Sequence, residues 1–491
     1  MSATKTAARN CDQFINGEWA EAAEGGRFED FDPFTGEVVA HVAAGGRADA
    51  RRAVAAAEEA FEGWSKTPPA VRQAIFLKAA DVLESRQAEV VEWLAKETGC
   101  SFGFGMFQMG FVPGLFRQAA GAAYAPTGTV LPSDLPGAFA MGVRRPVGVV
   151  GAIAPWNAAL ILSARSIAAP LVFGNTVVLK PSEESPYVGG LLWGEIFTAA
   201  GLPHGVLNVV THARGEAQAI ADELVENPLV RRINFTGSTA TGRKLAEAAG
   251  RNLKRVVLEL GGFNPLIVLA DADLDYAVSA AAFGAYLHQG QICMSARKII
   301  VERAIADEFS VRLAAKTAGL KVGDPREQDT IIGPLITPAA LETVKRRVDE
   351  AVASGARVLA GGQAIGNCYQ ATLVSDVPAN VELAHLETFG PVAALHVVDG
   401  PEAAVREANA TSYGLAAGII TSDPDRGLAL AESLQAGIVH VNDQPVHDEP
   451  QMPFGGVKDS GWGRFGGTFA MDEFTELRWI TVQSGTRPFP F

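Results

Sequence analysis

The spacing of apolar and polar positions changes character along the chain. Between residues 47 and 100, ADARRAVAAAEEAFEGW and AVRQAIFLKAADVLESRQAEVVEWLAKETG repeat apolar residues at helical intervals, which predicts two or three amphipathic helices stopping at Gly99. From Val147 the pattern becomes short Val/Ile/Leu-rich runs, VGVVGAIAP, NTVVLKP, GVLNVVT, RRINFT and RVVLELGG, separated by helical stretches. Such repeated βαβ units imply a mainly parallel sheet covered on both faces. The alternation restarts after Asn264 with PLIVLA, KIIVER, ARVLAGG, AALHVV, AAGIIT and GIVHV, so two successive α/β halves meet near Gly261-Gly262. GTVLPSDLPGAFAMGVRRP, residues 128 to 146, carries turn residues in place of helical spacing and predicts a protruding hairpin. EFTELRWITVQ predicts a terminal strand.

Bulk properties narrow the class. A length of 491 residues suits about three domain-sized pieces. The net charge of −14 argues against a nucleic-acid or anionic-membrane partner, since both demand clustered Lys and Arg. The longest apolar run, Val149 to Gly174, is interrupted by Pro155, Asn157, Arg165 and Pro170, so it reads as a buried strand, turn and helix and not as a membrane span. The four cysteines, Cys11, Cys100, Cys293 and Cys368, show no CxxC and no paired spacing, which excludes a disulfide framework or zinc site and fits a reducing compartment. MSATKTAARNCDQF lacks the apolar stretch of a secretory signal. A cytoplasmic protein is expected.

Several residues then stand out against plainer roles. Cys293, in HQGQICMSARK, is either a small core residue or a thiolate nucleophile favoured by the nearby Arg297 and Lys298. GWGRFG, 461 to 466, matches the GxGxxG expression, but it follows loop material and lacks the acidic residue that a dinucleotide fingerprint needs; it reads as a tight backbone path. RRINFTGSTATGRKLAEAAG, 231 to 250, is the better phosphate candidate: a short strand, a Gly237-Ser238-Thr239 turn, and a helix whose first amides can hold an anion. Glu259 ends an apolar strand, where a carboxylate is costly unless it works or is paired. Asn157, between a strand and an apolar helix, is a helix cap or an oxyanion donor. Asp271, Asp273 and Asp275 open like a calcium loop, but Tyr276 and Ala282 stand where Gly and Glu are needed, so they are expected to cap a helix. No metal site is expected.

PWN (155 to 157), KPSE (180 to 183), FTGST (235 to 239), LELGG (258 to 262), GQICMS (290 to 295), FGPV (389 to 392) and PFGGVKDSG (453 to 461) occur in this order. Together they resemble the NAD(P)-dependent aldehyde dehydrogenase superfamily over nearly the whole chain. The resemblance implies an α/β fold: a Rossmann-like cofactor domain from 1–127 and 147–261, an α/β catalytic domain over 262–470, and a small β oligomerisation element from 128–146 and 471–491 that makes a homodimer or homotetramer. It implies Cys293 as nucleophile, Glu259 as general base and Asn157 as oxyanion donor. Lys180 and Glu183 would meet the adenosine ribose, Gly237 and Ser238 the pyrophosphate, and Glu387 and Phe389 the nicotinamide ribose and ring, with Trp156 along the cofactor. Leu386 departs from the family's usual acidic residue while Glu387 remains. The cofactor would be NAD, with NADP possible: Glu183 repels a 2′-phosphate and Lys180 tolerates one.

VHDEPQMPFGGVKDSGWGRFGG, DEFTELRWITVQ and HLETFGPV look most like aromatic aldehyde dehydrogenases of the vanillin, salicylaldehyde and benzaldehyde type. Aliphatic or semialdehyde substrates, a CoA-acylating reaction and a thiol esterase without redox chemistry are the alternatives. A helix starting after Asn157 would place Ala158, Ile161, Leu162 and Arg165 on one face, beside the oxyanion donor and lining a substrate tunnel. Arg165 would meet a phenolic or carboxylate oxygen on the ring, or else pair with a buried carboxylate.

Overall fold

The structure is a computed structural model describing residues 8–491; residues 1–7, which open the first cofactor-domain segment and the stretch read for a leader, lie outside the described residues. Three helices occupy the first helical region, Arg47–Ser65, Pro69–Ser85 and Gln87–Thr98, and the last is closed by Gly99 in the left-handed conformation (φ 62°). A further helix, Phe102–Ala122, packs against Pro69–Ser85 and Ala159–Val172. Its sequence is apolar almost all round, so it offers no stripe from which a period can be read.

The first sheet runs in the order Gly461–Trp462, Arg255–Glu259, Val230–Thr236, Val149–Ile153, Thr176–Lys180, Leu207–Val209, Gln13–Ile15, Glu18–Ala20. Its five central strands are parallel, and the outer ones are antiparallel. Alternate residues feed cores on opposite faces. Val150, Ala152, Val177 and Leu179 join one cluster, while Val149, Ile153, Val178 and Ile233 join another. The chain spreads in both directions from Val149–Ile153, so a crevice opens beyond the carboxyl ends of the strands on either side of it. Register places Ile153 opposite both Lys180 and Phe235, and Thr236 opposite Glu259. Three motifs far apart in sequence thereby reach one edge.

The chain passes to a second sheet after Glu259, beginning with Asn264–Val268. The order is Arg357–Ala360, Thr372–Ser375, Val392–Val398, Ala296–Glu302, Asn264–Val268, Ala416–Ile420, Ile438–Val441, parallel except at Arg357–Ala360. Residues 128 to 146 form the expected hairpin, Gly128–Leu131 with Ala138–Pro146, and Thr475–Gln483 pairs along the latter's other edge. The GxGxxG stretch is not a phosphate loop. Gly461–Trp462 lies antiparallel on Arg255–Glu259, and Gly461 (φ 106°) comes so close to the Leu258 carbonyl that a side chain would collide with it. Asp273 caps the helix Leu274–Tyr286 by accepting from the Tyr276 N–H at 3.0 Å. Among the described residues no cluster of His, Cys, Asp and Glu suits a metal, and no helix is long and apolar enough to cross a membrane.

Candidate active site

The loop that carries Cys293 is built from a backbone that L-residues avoid. After Tyr286 the residues His288, Gln289 and Gly290 are all left-handed (φ 50°, 54° and 65°). Tertiary contacts hold this turn in place. Gln289 Nε2 donates to the carbonyls of Gly99 and Pro334 at 3.0 Å each, and the His288 ring stacks on Phe104 with centroids 4.9 Å apart. Gln291 Oε1 accepts from the Ile336 N–H at 3.0 Å. Beyond the turn, Asn264 Nδ2 donates to the carbonyls of Cys293 (2.7 Å) and Ser295 (2.9 Å). Cys293 is consequently the one partly exposed cysteine; Cys11, Cys100 and Cys368 are buried, and all four are free.

A cavity of about 390 Å³ gathers Cys293, Glu259 and Asn157 with Trp156, Gly237, Ser238, Glu387 and Phe389. The paired glycines of LELGG explain how the second sheet closes on it. A side chain at Gly262 would strike the Cys293 carbonyl, and one at Gly261 would strike the Glu387 carboxylate. Asn157 does not cap the following helix. Ala159–Val172 starts from Ala158 without a side-chain cap, and Asn157 Nδ2 donates to the Gln291 carbonyl at 3.0 Å, two residues from the thiol.

Burial dominates the electrostatics. It pushes the Cys293 thiol up to about 12, reinforced by the negative charges of Glu387 and Glu259 and opposed by Arg165. It also drives Glu259 well above the ordinary carboxylate range, against Arg165 and Arg464, and neither Glu259 oxygen has a hydrogen-bond partner. Glu387 is pushed to about 7 by burial, against Arg297, the Gly262 N–H (3.2 Å) and Arg347. Of the two cations expected beside the thiol, Arg297 acts electrostatically on Cys293, while Lys298 is paired elsewhere. Arg297 donates to the carbonyls of Gly390 and Gly290, and Lys298 is spent on Glu407 at 2.8 Å. Arg165 adds a second positive charge that acts on the sulfur.

The groups proposed for a dinucleotide occupy one side of the cavity. Trp156 and Phe389 meet edge to face at 5.6 Å. Gly237 and Ser238 line the wall where the helix Thr239–Arg251 begins, with Ser238 Oγ capping the Thr241 N–H at 3.3 Å. An open helix start beside an aromatic pair and an unpaired carboxylate fits a phosphate-bearing, planar cofactor. Lys180 and Glu183 do not line this cavity; they lie at the carboxyl end of the strand Thr176–Lys180, one strand from Val149–Ile153.

Of the four tunnel candidates, Leu162 alone lines the cavity, while Ala158 and Ile161 are buried in the apolar core and Arg165 lies outside the cavity's lining. Arg165 forms the buried ion pair foreseen as its plainer role: Nη2 donates to Asp448 Oδ2 at 2.5 Å. Its guanidinium also stacks 4.2 Å from the Phe454 ring, and Nε and Nη1 are buried without partners. Asp448 and Arg464 were not anticipated, since both lie in loop sequence without periodicity. His212 was also missed, although its place just beyond the strand Leu207–Val209 puts it among the strand ends that build the crevice.

The sequence model of the aldehyde dehydrogenase family matches residues 19–480. A vanillin dehydrogenase from Pseudomonas fluorescens is 48% identical over 476 residues, covering 97% of this chain and 98% of that protein. The benzaldehyde dehydrogenase [NAD(+)] of Pseudomonas putida is 43% identical over 478 residues, 97% of each. The crystal structure of a salicylaldehyde dehydrogenase from Pseudomonas putida G7, complexed with salicylaldehyde, superposes with a TM-score of 0.96 at 42% identity, covering 98% of this chain and 100% of that one.

Proposed function

The chain belongs to the aldehyde dehydrogenase family, and we propose that Cys293, Glu259 and Asn157 are the nucleophile, base and oxyanion donor with which it works. It is an NAD-dependent aldehyde oxidoreductase that converts aromatic aldehydes to their acids. The observation that carries the site assignment is the convergence of these three side chains with Trp156, Gly237, Ser238, Glu387 and Phe389 on one cavity. Cys293 Sγ adds to the aldehyde carbon and makes it tetrahedral. Asn157 Nδ2 and the Cys293 N–H hold the oxygen as it gains charge. Trp156 and Phe389 would hold an oxidised nicotinamide, which when bound would supply the acceptor for the hydride that the tetrahedral carbon must lose to become a thioester. The thioester left on Cys293 is then opened by water, from which the Glu259 carboxylate takes a proton. Retention of that base favours water over CoA as acyl acceptor.

The aromatic preference rests on the relatives' substrates and on Arg165. Its unpartnered Nε and Nη1 donors, buried beside Phe454, suit an oxygen on a flat ring. A panel of benzaldehyde, hydroxylated benzaldehydes and aliphatic aldehydes tests this. The ring substrates should have the highest kcat/KM, and Arg165→Ala should raise KM for hydroxylated rings far more than for benzaldehyde. Equal losses on both would remove Arg165 from ring-oxygen recognition, and Cys293→Ala retaining turnover would remove the site. The terminal sheet is proposed to join copies into a homodimer or homotetramer. The free cysteines support a reducing, cytoplasmic location.

A further inference from the structure

At the end of the strand Thr176–Lys180, the Lys180 ammonium sits 2.6 Å from His212 Nε2 and donates to the Pro181 carbonyl at 3.0 Å. His212 Nδ1 lies 2.9 Å from the Ala213 carbonyl. A carbonyl can only accept, so Nδ1 carries the imidazole proton. Nε2 is therefore a lone pair that accepts from Lys180. Two of the three ammonium hydrogens are thus directed by fixed acceptors, and one remains. Glu183 completes the cluster, with Oε2 3.8 Å from His212 Nε2 and 3.2 Å from Ser182 Oγ. The His212 side chain is wholly buried. Arg214, the other cation of that loop, is held by Glu184 at 2.7 Å.

We propose that His212 is a positioning residue that makes the cofactor site select NAD over its 2′-phosphorylated form, by fixing the Lys180 ammonium for a neutral ribose diol. The inference rests on the reading that Lys180 and Glu183 hold the adenosine ribose. One cation and one carboxylate leave the cluster without net charge. That suits a diol, which donates to Glu183 and accepts from the remaining Lys180 N–H, and it opposes a phosphomonoester dianion. A second cation would be needed to offset the phosphate. His212 does not supply one: burial and the adjacent ammonium hold its pKa down at about 4, because a proton on Nε2 would face the lysine directly. Freed from the imidazole, Lys180 would have two hydrogens to turn toward a ligand, the third staying on the Pro181 carbonyl.

Binding of NAD and NADP to the enzyme without aldehyde, followed through quenching of Trp156 fluorescence, tests this directly. His212→Ala should raise the Kd for NAD about tenfold while leaving that for NADP within about twofold, the loss expected when an oriented charge-assisted hydrogen bond loses its support. His212→Gln returns an acceptor oxygen to the place of Nε2 and should bring NAD binding back to within about threefold of the parent. Equal weakening of both cofactors by His212→Ala, or failure of the glutamine to restore NAD binding, would overturn the proposal. Glu183→Gln separates the premise: if it leaves both Kd values unchanged, the ribose does not lie here and the placement of the cofactor end falls. If it shifts them while His212→Ala does not, only the role of His212 falls.

Discussion

Glu259 is a carboxyl with no hydrogen-bond partner, fully enclosed, and raised well above its ordinary range by burial. Raising an acid's pKa means that its charged form appears only at higher pH. The base that opens the thioester is therefore scarce in mild acid and accumulates as pH climbs through the raised value. The thiol, pushed to about 12, bears on the addition step alone, because it is acylated while the thioester is opened. The acyl-hydrolysis rate should rise with pH along a limb displaced above the usual carboxylate range. Glu259→Gln should flatten that limb and lower kcat by about 100-fold or more, the usual contribution of a positioned base. Single-turnover thioester decay across pH checks this, and an undisturbed limb in the variant would assign the titration elsewhere. Arg165 and Arg464 set how far the limb moves, because their charges are the ones that oppose burial at Glu259.

Elements with a clean period announced themselves, as with the helices between Arg47 and Thr98 and the buried strands from Val149 to Glu259. Phe102–Ala122 was hidden by being apolar on every side, and Thr372–Ser375 by its brevity. The proposed catalytic trio stood out locally as a carboxylate ending an apolar strand, an amide between strand and helix and a thiol after a turn, but each had a plainer role open to it, and only the order of the motifs chose between them. Asp448 does not stand out, and its partner Arg165 is 283 positions away, so only the folded chain reveals the pair. A second hidden pair ties the strand Arg27–Phe31 to the helix Gln87–Thr98. Burial raises Glu97 to about 7, offset in part by the Tyr187 and Val188 N–H groups it accepts at 2.7 Å each, and Asp30 beside it is raised well above its usual range by burial and by Glu97. Asp30 is thus the member that keeps a proton on folding. A proton held by the folded but not the unfolded chain stabilises most below the unfolded pKa, and that support drains away as pH rises from about 4 toward neutrality. Asp30→Asn keeps a donor without needing the proton. Its Tm should equal or exceed the parent's at pH 8 and gain less at pH 5. Glu97→Gln should cost about 1–3 kcal/mol by weakening acceptance from two buried amides. A Tm penalty for Asp30→Asn of the same size at both pH values would contradict the shared proton.

In the molecule as a whole, the terminal strand Thr475–Gln483 belongs to a separate three-stranded sheet. Ala138–Pro146 lies in the middle, so Gly128–Leu131 and Thr475–Gln483 each keep one unpaired edge. Leu477 and Trp479 are 66% and 78% exposed, Val130 65%. Leu477 and Leu131 share a face across Gly142, so apolar side chains sit together beside open backbone edges. Exposed edges of this kind recruit another strand or surface. The sheet is nevertheless fastened to the rest of the chain. Arg232, in the strand Val230–Thr236, donates to Glu476 at 2.6 Å, and Asn175 Nδ2 donates to the Phe474 carbonyl at 2.9 Å, just before the terminal strand. These anchors are separate from Leu477 and Trp479, so the surface can be changed without releasing the strand. Leu477→Arg with Trp479→Arg should reduce the sedimenting species to a single chain while NAD still quenches the fluorescence of the monomer. An unchanged mass would mean that copies join through another face. A monomer that no longer binds NAD would mean instead that assembly helps to hold the crevice itself.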